Sequence, residues 1–490
     1  MATAVVEERQ LLKSLRWWDG FVVALANPGF LIGSLGFSIG ALGGWGAMLL
    51  WGVSMFLGTL QNWIYSETAA MFPDKSGGIA LYANQGWKRY FTLVGPVATF
   101  GYWFAWSTVL SIFGIVVGSL IQAQWFSKST WTLWDGSVHL TLAHFIGIGA
   151  IVLVWAANMR GIRPTLWMGY LTGGLLMVPL FVFIVLPYLT GSWSSSNMHF
   201  TITGPWGGWQ LALVWLYIMG WSAYGVETCA TFAPEYKDTV RDTSIALRTS
   251  ALFSLVVYVL LPLGVTGTVG TQAAVADPVA FYVPAFEKIT GSGSVSGIMV
   301  VLLCGSLLLS MNTATADGSR ALYGIAKDGL TIKQLYHLSK HHVPARAMTL
   351  DMLMNIVLIL FVGSTLSILV AGNLGYIASH VFALTGFLLL RKDRPNWPRP
   401  IKLSTIWLPI AALLACANLI FIIVGNMYPE LTGYGSLKTT LIGVGVLAIS
   451  IIAYVVRKMQ DKQPLQWRDR TPDVPPAEAV AAVAGGAGSS

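Results

Sequence analysis

Apolar residues come in long runs along this chain, separated by short polar stretches. Twelve runs of twenty residues or more fall at about 18–42, 45–67, 91–122, 138–158, 164–188, 208–233, 247–270, 295–325, 347–369, 372–391, 404–426 and 436–457. About 20 apolar residues wound as a helix cross the roughly 30 Å hydrocarbon core of a bilayer. The runs therefore predict an all-α integral membrane protein with about twelve transmembrane helices, numbered here as spans 1 to 12. Segment 79–88 predicts a short cytoplasmic-side helix leading into span 3, and 277–290 a short extracellular helix between spans 7 and 8. Residues 1–17 form a cytoplasmic N-terminal segment ahead of the transmembrane domain at 18–457. Residues 458–490, rich in Pro, Ala, Gly and charge, predict a disordered cytoplasmic tail.

Composition agrees with lipid as the solvent. Only 10% of the 490 residues are charged and 55% are apolar, where a soluble domain has roughly 25% charged. The net charge of +8 does not indicate a nucleic-acid surface, because the basic residues lie between the apolar runs. With the N-terminus inside, 26 of the 29 Lys and Arg fall on the inner side and only Lys128, Lys288 and Lys438 on the outer side. That asymmetry is the positive-inside pattern. It predicts a multi-pass plasma-membrane protein with both termini cytoplasmic. Span 1 is too long for a signal-peptide core and is read as a retained helix. Cys229, Cys304 and Cys416 are single, in apolar surroundings, with no disulfide or metal-ligand spacing. No metal or other cofactor is expected.

Two spans carry interruptions. Span 1 holds Asn27-Pro28-Gly29, followed by Gly33-Ser34; span 6 holds Gly220 and Gly225, with Trp221, Ser222 and Tyr224 between them. Proline removes a backbone donor and clashes with the preceding turn, and glycine opens backbone angles that other residues resist. Backbone groups freed at membrane depth are tolerated only where they line a cavity or meet a ligand. Spans 1 and 6 are five apart. Paired breaks at that interval point to an inverted repeat of five helices, with the substrate between the breaks. Repeat one then covers about 18–188, repeat two about 208–391, and two extra helices about 404–457.

Several motifs resemble those of the amino acid–polyamine–organocation transporter superfamily over about residues 17–402. Span 1 opens on Trp18-Asp19, like the family's W-D start. Glu67-Thr68-Ala69-Ala70-Met71-Phe72-Pro73 and Ser76-Gly77-Gly78 resemble its E-x-A-x-x-F-P…G-G stretch, and Asn158-Met159-Arg160-Gly161-Ile162 its N-x-R-G-V loop. Tyr224-Gly225-Val226-Glu227, with Glu235, Lys237 and Arg241-Asp242, is similar to its G-F-[DE] region. Ser319-Arg320-Ala321-Leu322-Tyr323, then Ala326-Lys327-Asp328-Gly329-Leu330 and Val343-Pro344, resemble its S-R-x-L-Y-A-M-A-R-D-G-L…T-P run. The resemblance implies the LeuT-type 5+5 inverted repeat and secondary transport of an amino acid or related small amine by alternating access, coupled to H+ or Na+. It also implies that span 1 amides meet a substrate carboxylate and span 6 carbonyls meet its amine. This chain departs from the family at the span 1 glycine stretch: Phe30-Leu31-Ile32 stand there, and the nearest Gly-Ser is Gly33-Ser34. Span 5 contains no charged residue that could replace a coupling ion. Amines such as ethanolamine or polyamines therefore stay open beside amino acids.

The candidate substrate site is Asn27, Pro28, Gly29, Phe30, Gly33 and Ser34 of span 1, Tyr102 and Trp106 of span 3, and Trp221, Ser222, Tyr224 and Gly225 of span 6. The aromatic members, with Trp103, could box an ammonium group. The ion-coupling candidates are Asp317, Glu227 and Thr313, with span 8 bordering span 1 at the family's second sodium site. A carboxylate at the depth of Asp317 costs about 3 kcal/mol or more unless partnered. It either carries H+ or Na+ or pairs with Arg320 one turn on. Glu227 either binds a cationic substrate or stabilises the second half of span 6 through its dipole. His144, His380 and Glu67 read as structural. Exchange without ion coupling is the alternative within the class. A channel needs rings of polar residues, and no repeated polar motif appears. An enzyme or ATP-driven pump is not expected, as there is no His cluster, no G-x-S-x-G and no P-loop.

Overall fold

The computed structural model describes residues 13–135, 139–362, 364–432, 436–470 and 474–486. Glu7, Glu8 and Arg9 of the N-terminal segment, and 471–473 and 487–490 of the tail, lie outside the described residues. Among those described, eight helical stretches are long and apolar enough to cross a membrane, and Trp17–Met71 carries two spans. Gly43 separates them, with φ 69° and ψ 174°. A side chain there would also strike the His199 carbonyl, 2.4 Å from an ideal Cβ, so only glycine makes this corner.

Spans 3, 5, 7 and 8 are Val94–Trp125, Ile162–Ile184 extended by Leu186–Leu189, Thr239–Ala276 and Gly293–Lys327. Spans 10, 11 and 12 are Thr365–Asp393, Trp407–Met427 and Leu437–Gln460. Spans 4 and 9 are shorter, Leu142–Asn158 and Ala345–Phe361, and span 6 is divided into Trp209–Ala223 and a 3-10 helix, Gly225–Glu235. The short helices are Gly78–Trp87 and Tyr282–Thr290.

Several boundaries differ from the sequence expectation; span 7 runs from Thr239 to Ala276 rather than over 247–270. Span 9 ends at Phe361 and span 10 begins at Thr365, not near 372, because Ser364 caps the helix by accepting from the Ser367 amide at 3.5 Å. Span 4 begins at Leu142, not 138, because His139–Thr141 pairs antiparallel with Thr132–Asp135 in a small two-stranded sheet.

Burial sorts the spans. In the most apolar stretch of Trp17–Met71, 94% of residues are buried, against 28% in span 12. The outer faces carry exposed Trp167, Leu171, Leu353, Phe361, Leu413 and Leu441, the surface lipid would cover. Spans 1, 3, 6, 8 and 10 supply most of the interior.

Polar motifs at the ends of the spans act as clamps. Glu67 at the end of span 2 is fully buried and takes Arg391 at 2.5 Å, Arg399 at 3.2 Å and the Leu403 amide at 2.8 Å. The Ser14 and Leu15 amides donate to the Glu235 carbonyl, both at 2.9 Å, tying the N-terminal segment to the end of span 6. In the tail, Trp467 stacks on Phe91 with centroids 6.0 Å apart, and the Thr92 amide donates to its carbonyl at 3.0 Å.

Candidate substrate and ion site

Both interruptions exist, and each is displaced slightly from its sequence marker. In span 1 the helix is interrupted only at Leu25, which keeps right-handed angles (φ −60°, ψ −14°) and its amide bond to the Phe21 carbonyl at 2.9 Å, and it resumes at Ala26. A proline disrupts the carbonyl four residues before it, so Pro28 acts at Ala24 rather than around itself. Span 8 and span 7 side chains cover the carbonyls there. Thr313 donates to Val23 O at 3.3 Å, and Ser310 to Ala26 O at 2.9 Å. The Tyr258 hydroxyl lies 2.8 Å from the Asn27 carbonyl, 2.9 Å from the Ser222 carbonyl and 3.1 Å from Ser222 Oγ. This one hydroxyl links the two breaks.

In span 6 the α-helix ends at Ala223, and Gly225–Glu235 continues as an eleven-residue 3-10 helix. Runs longer than three or four residues are uncommon in that form and often mark a hinge. Pro234, within it, withholds one amide. Gly225 is where the two broken spans touch: an ideal Cβ would stand 2.6 Å from Asn27 Oδ1 and 2.9 Å from Phe30 Cε2. Gly225→Val is therefore expected to separate spans 1 and 6 and to reduce substrate binding in protein that still purifies as a single species. Binding at parental affinity would show that the contact is not needed.

Beside this contact the helices leave a narrow buried cavity, lined by Phe30, Ala105, Trp106, Val109, Trp221 and Tyr376. Phe30 is its hub, 5.1 Å from the Trp106 ring, 5.6 Å from Trp221 and 5.6 Å from Phe113. Trp221 is fixed by its indole N–H, which donates to the Ala105 carbonyl at 3.2 Å. None of the six lining residues is charged. Behind two of them stands Glu227, fully buried, whose Oε1 accepts from Trp106 at 3.2 Å and from Tyr376 at 2.6 Å. Its Oε2 has no hydrogen-bond partner.

Asp317 sits deeper along span 3. Tyr102 donates to its Oδ2 at 2.9 Å, and Thr231 Oγ1 lies 3.2 Å from the same hydroxyl. Arg320 is not its partner: the guanidinium pairs with Glu235 and donates to the Ala316 carbonyl at 3.0 Å. Asp317 Oδ1 and Thr228 Oγ1 are buried without partners. Asp317 therefore faces spans 3 and 6, whereas Thr313, one turn earlier, faces span 1.

The remaining sequence candidates scatter. Gly29 packs on Ser310, 2.3 Å from its ideal Cβ, and Gly33 on Phe113 at 2.6 Å. Pro28 is buried in span 1, and Ser34 donates back to the Phe30 carbonyl at 3.5 Å. Asn27 reaches Met55 through Nδ2 at 3.8 Å and leaves Oδ1 unpartnered. Tyr224 turns away from the cavity, donating to Asn418 at 2.9 Å with its ring 5.0 Å from His380. Tyr376 and Tyr258 were not singled out from the sequence. Nothing short of the packing distinguishes them from the other tyrosines among 17.

The comparisons with known proteins agree with this architecture. The sequence profile described as amino acid permease matches residues 15–452. The chain belongs to the amino acid permease family. The permease is similar to the GABA-specific permease of Saccharomyces cerevisiae, 25% identical over 92% of this chain and 82% of that protein. It is similar to the gamma-aminobutyric acid permease of Bacillus subtilis, 22% identical over 81% and 83%. It also resembles the polyamine transporter PUT1 of Oryza sativa, 23% identical over 84% and 72%. The described helices fit the LeuT-type all-α membrane fold of the amino acid–polyamine–organocation superfamily. A permease of this family is a multi-pass membrane transporter for a small molecule.

Proposed function

We propose that this permease moves a small substrate bearing a free ammonium group, an amine or an ω-amino acid, across the plasma membrane by alternating access. The observation that carries the reading is Glu227. Its Oε1 is held by Trp106 and Tyr376, two walls of the cavity, and its Oε2 is unpartnered. An ammonium group beside that carboxylate would supply the missing charge, and the faces of Trp106, Trp221 and Tyr376 would add cation–π attraction. None of the described ion pairs involves Glu227 or Asp317. The absence of charge among the lining residues gives a substrate carboxylate no cationic partner there. Span 1 from Ala26 onward is helical, so its Phe30-Leu31-Ile32 stretch offers no unwound amides. The relatives named for γ-aminobutyric acid and for polyamines have one feature in common, a primary amine away from any α-carboxylate.

Coupling to H+ or Na+ is assigned to Asp317, whose neighbours Tyr102, Thr228 and Thr231 are all hydroxyls. The repeats are divided at about 18–188 and 208–391, with both termini cytoplasmic, supported by the placement of 26 of the 29 basic residues. The test is a competition assay with the purified protein in proteoliposomes. Saturable uptake inhibited by putrescine and γ-aminobutyrate more than by alanine is expected. Inhibition only by α-amino acids would overturn the substrate class, and ohmic single-channel currents would overturn transport itself.

A further inference from the structure

We propose that Asp351 in span 9 is a proton-carrying carboxyl that works beside Asp317. It is fully buried in the interior. The indole of Trp103 donates to its Oδ1 at 2.5 Å, and its Oδ2 has no hydrogen-bond partner. That free oxygen faces span 8 at Gly318: an ideal Cβ on Gly318 would lie 3.6 Å from it. Gly318 follows Asp317 directly, so the missing side chain leaves Asp351 open toward its neighbour. Three donors within five residues of span 3 thus each hold one buried carboxylate from a different span. Tyr102 holds Asp317 of span 8, Trp103 holds Asp351 of span 9, and Trp106 holds Glu227 of span 6.

A buried carboxylate at membrane depth needs a compensating cation. The elements packed on span 9 supply none from protein. Span 3 has no charged residue. Span 8 presents Asp317, an Arg320 already committed to Glu235 and, at its end, an exposed Lys327. Span 4 has no titratable side chain from 145 to 158, and Lys333 of the turn Lys333–Tyr336 is exposed. An alkali ion would require a cage of oxygens. Of the nearby oxygens, Asn355 Oδ1 is taken by the Ser111 amide at 3.1 Å, and Ser107 Oγ, which accepts from Asn355 at 2.9 Å, is a single hydroxyl and not a cage. A proton needs no cage. Hydronium from one side gives its proton to Oδ2, forming an O–H bond and leaving water. On the other side that bond breaks and water takes the proton, with no redox change.

The inference rests on the transport reading above but not on its choice of substrate, and it has a readout independent of substrate. Infrared difference spectra of the full-length protein across a pH step are expected to show a buried carboxyl C=O band. One component of the band should be absent in D351N, present in D317N and insensitive to Na+. In proteoliposomes, D351N is expected to lose pH-driven accumulation more than counterflow, by about tenfold. Should D351N fail to fold, G318A decides. Its Cβ fits at 3.4 to 3.9 Å from its neighbours, yet fills the space before Oδ2, and a shifted carboxyl band is expected. An unchanged band in D351N, an unshifted band in G318A, or a band that follows Na+ instead of pH overturns the proposal. A band that behaves as described in protein that carries no probe would leave the proton site standing and remove the transport reading.

Discussion

Replacing Glu227 by glutamine is expected to weaken substrate binding about a hundredfold, equivalent to about 2.7 kcal/mol. The exchange keeps the side chain's size and one oxygen, so Trp106 and Tyr376 retain their acceptor. What is lost is the negative charge behind the cavity. Removing one partner of a fully desolvated charge pair typically costs about 2–5 kcal/mol or more, so a hundredfold lies at the low end. The measurement is equilibrium binding of labelled putrescine or γ-aminobutyrate to purified protein, with thermal unfolding recorded in parallel. If affinity stays within about threefold, about 0.7 kcal/mol, the ammonium group is not held by this carboxylate. A merely structural Glu227 would show its effect in the unfolding temperature and not in the binding curve.

The spans were legible because lipid imposes its length on the sequence directly. Their ends were less so where glycine has two uses. Gly372 looked like the start of span 10, but it lies within that helix and packs on Ala105 of span 3, 3.3 Å from an ideal Cβ. The true corner is marked by a serine cap. Both helix breaks were readable from Pro28 and the glycines of span 6, within a few residues. The 3-10 form of the second half of span 6 was not, since no short-range pattern encodes it.

For the candidate site, Phe30 and Trp221 were legible as aromatics near a break, and Trp106 of span 3 as a member of an aromatic box. Gly29, Gly33 and Tyr224 stood equally near, yet they face Ser310, Phe113 and Asn418. Proximity along the chain fixes depth in the membrane but not the direction around the helix. Asp351 is a different lesson. A lone carboxylate inside an apolar span is itself a signal, and it was available in the sequence. Only the structure shows its tie to Trp103 and its opening toward span 8.

Arg320→Met is expected to cost about 3–5 kcal/mol of stability, the usual consequence of breaking a buried ion pair. The guanidinium is about as buried as a side chain can be, with 1% of it accessible. It bridges both oxygens of Glu235, donates to the Ala316 carbonyl and lies 4.9 Å over the Phe232 ring. It therefore pins the 3-10 half of span 6 to span 8. Glu235→Gln should be similarly damaging, because it leaves the arginine charged and alone. Removing both charges, as Arg320→Met with Glu235→Leu, should recover much of the loss, since an apolar pair of like volume often replaces a buried ion pair without penalty. Thermal unfolding of the four proteins in one detergent gives the cycle. A double variant no more stable than either single one would show that Arg320 has another essential anion, and Asp317, three residues before it on the same helix, would be that anion. The result thus bears on function as well as stability. If the pair with Glu235 accounts for Arg320, Asp317 is left without a fixed cation, and a carboxylate in that state is free to take its charge partner from the transport cycle.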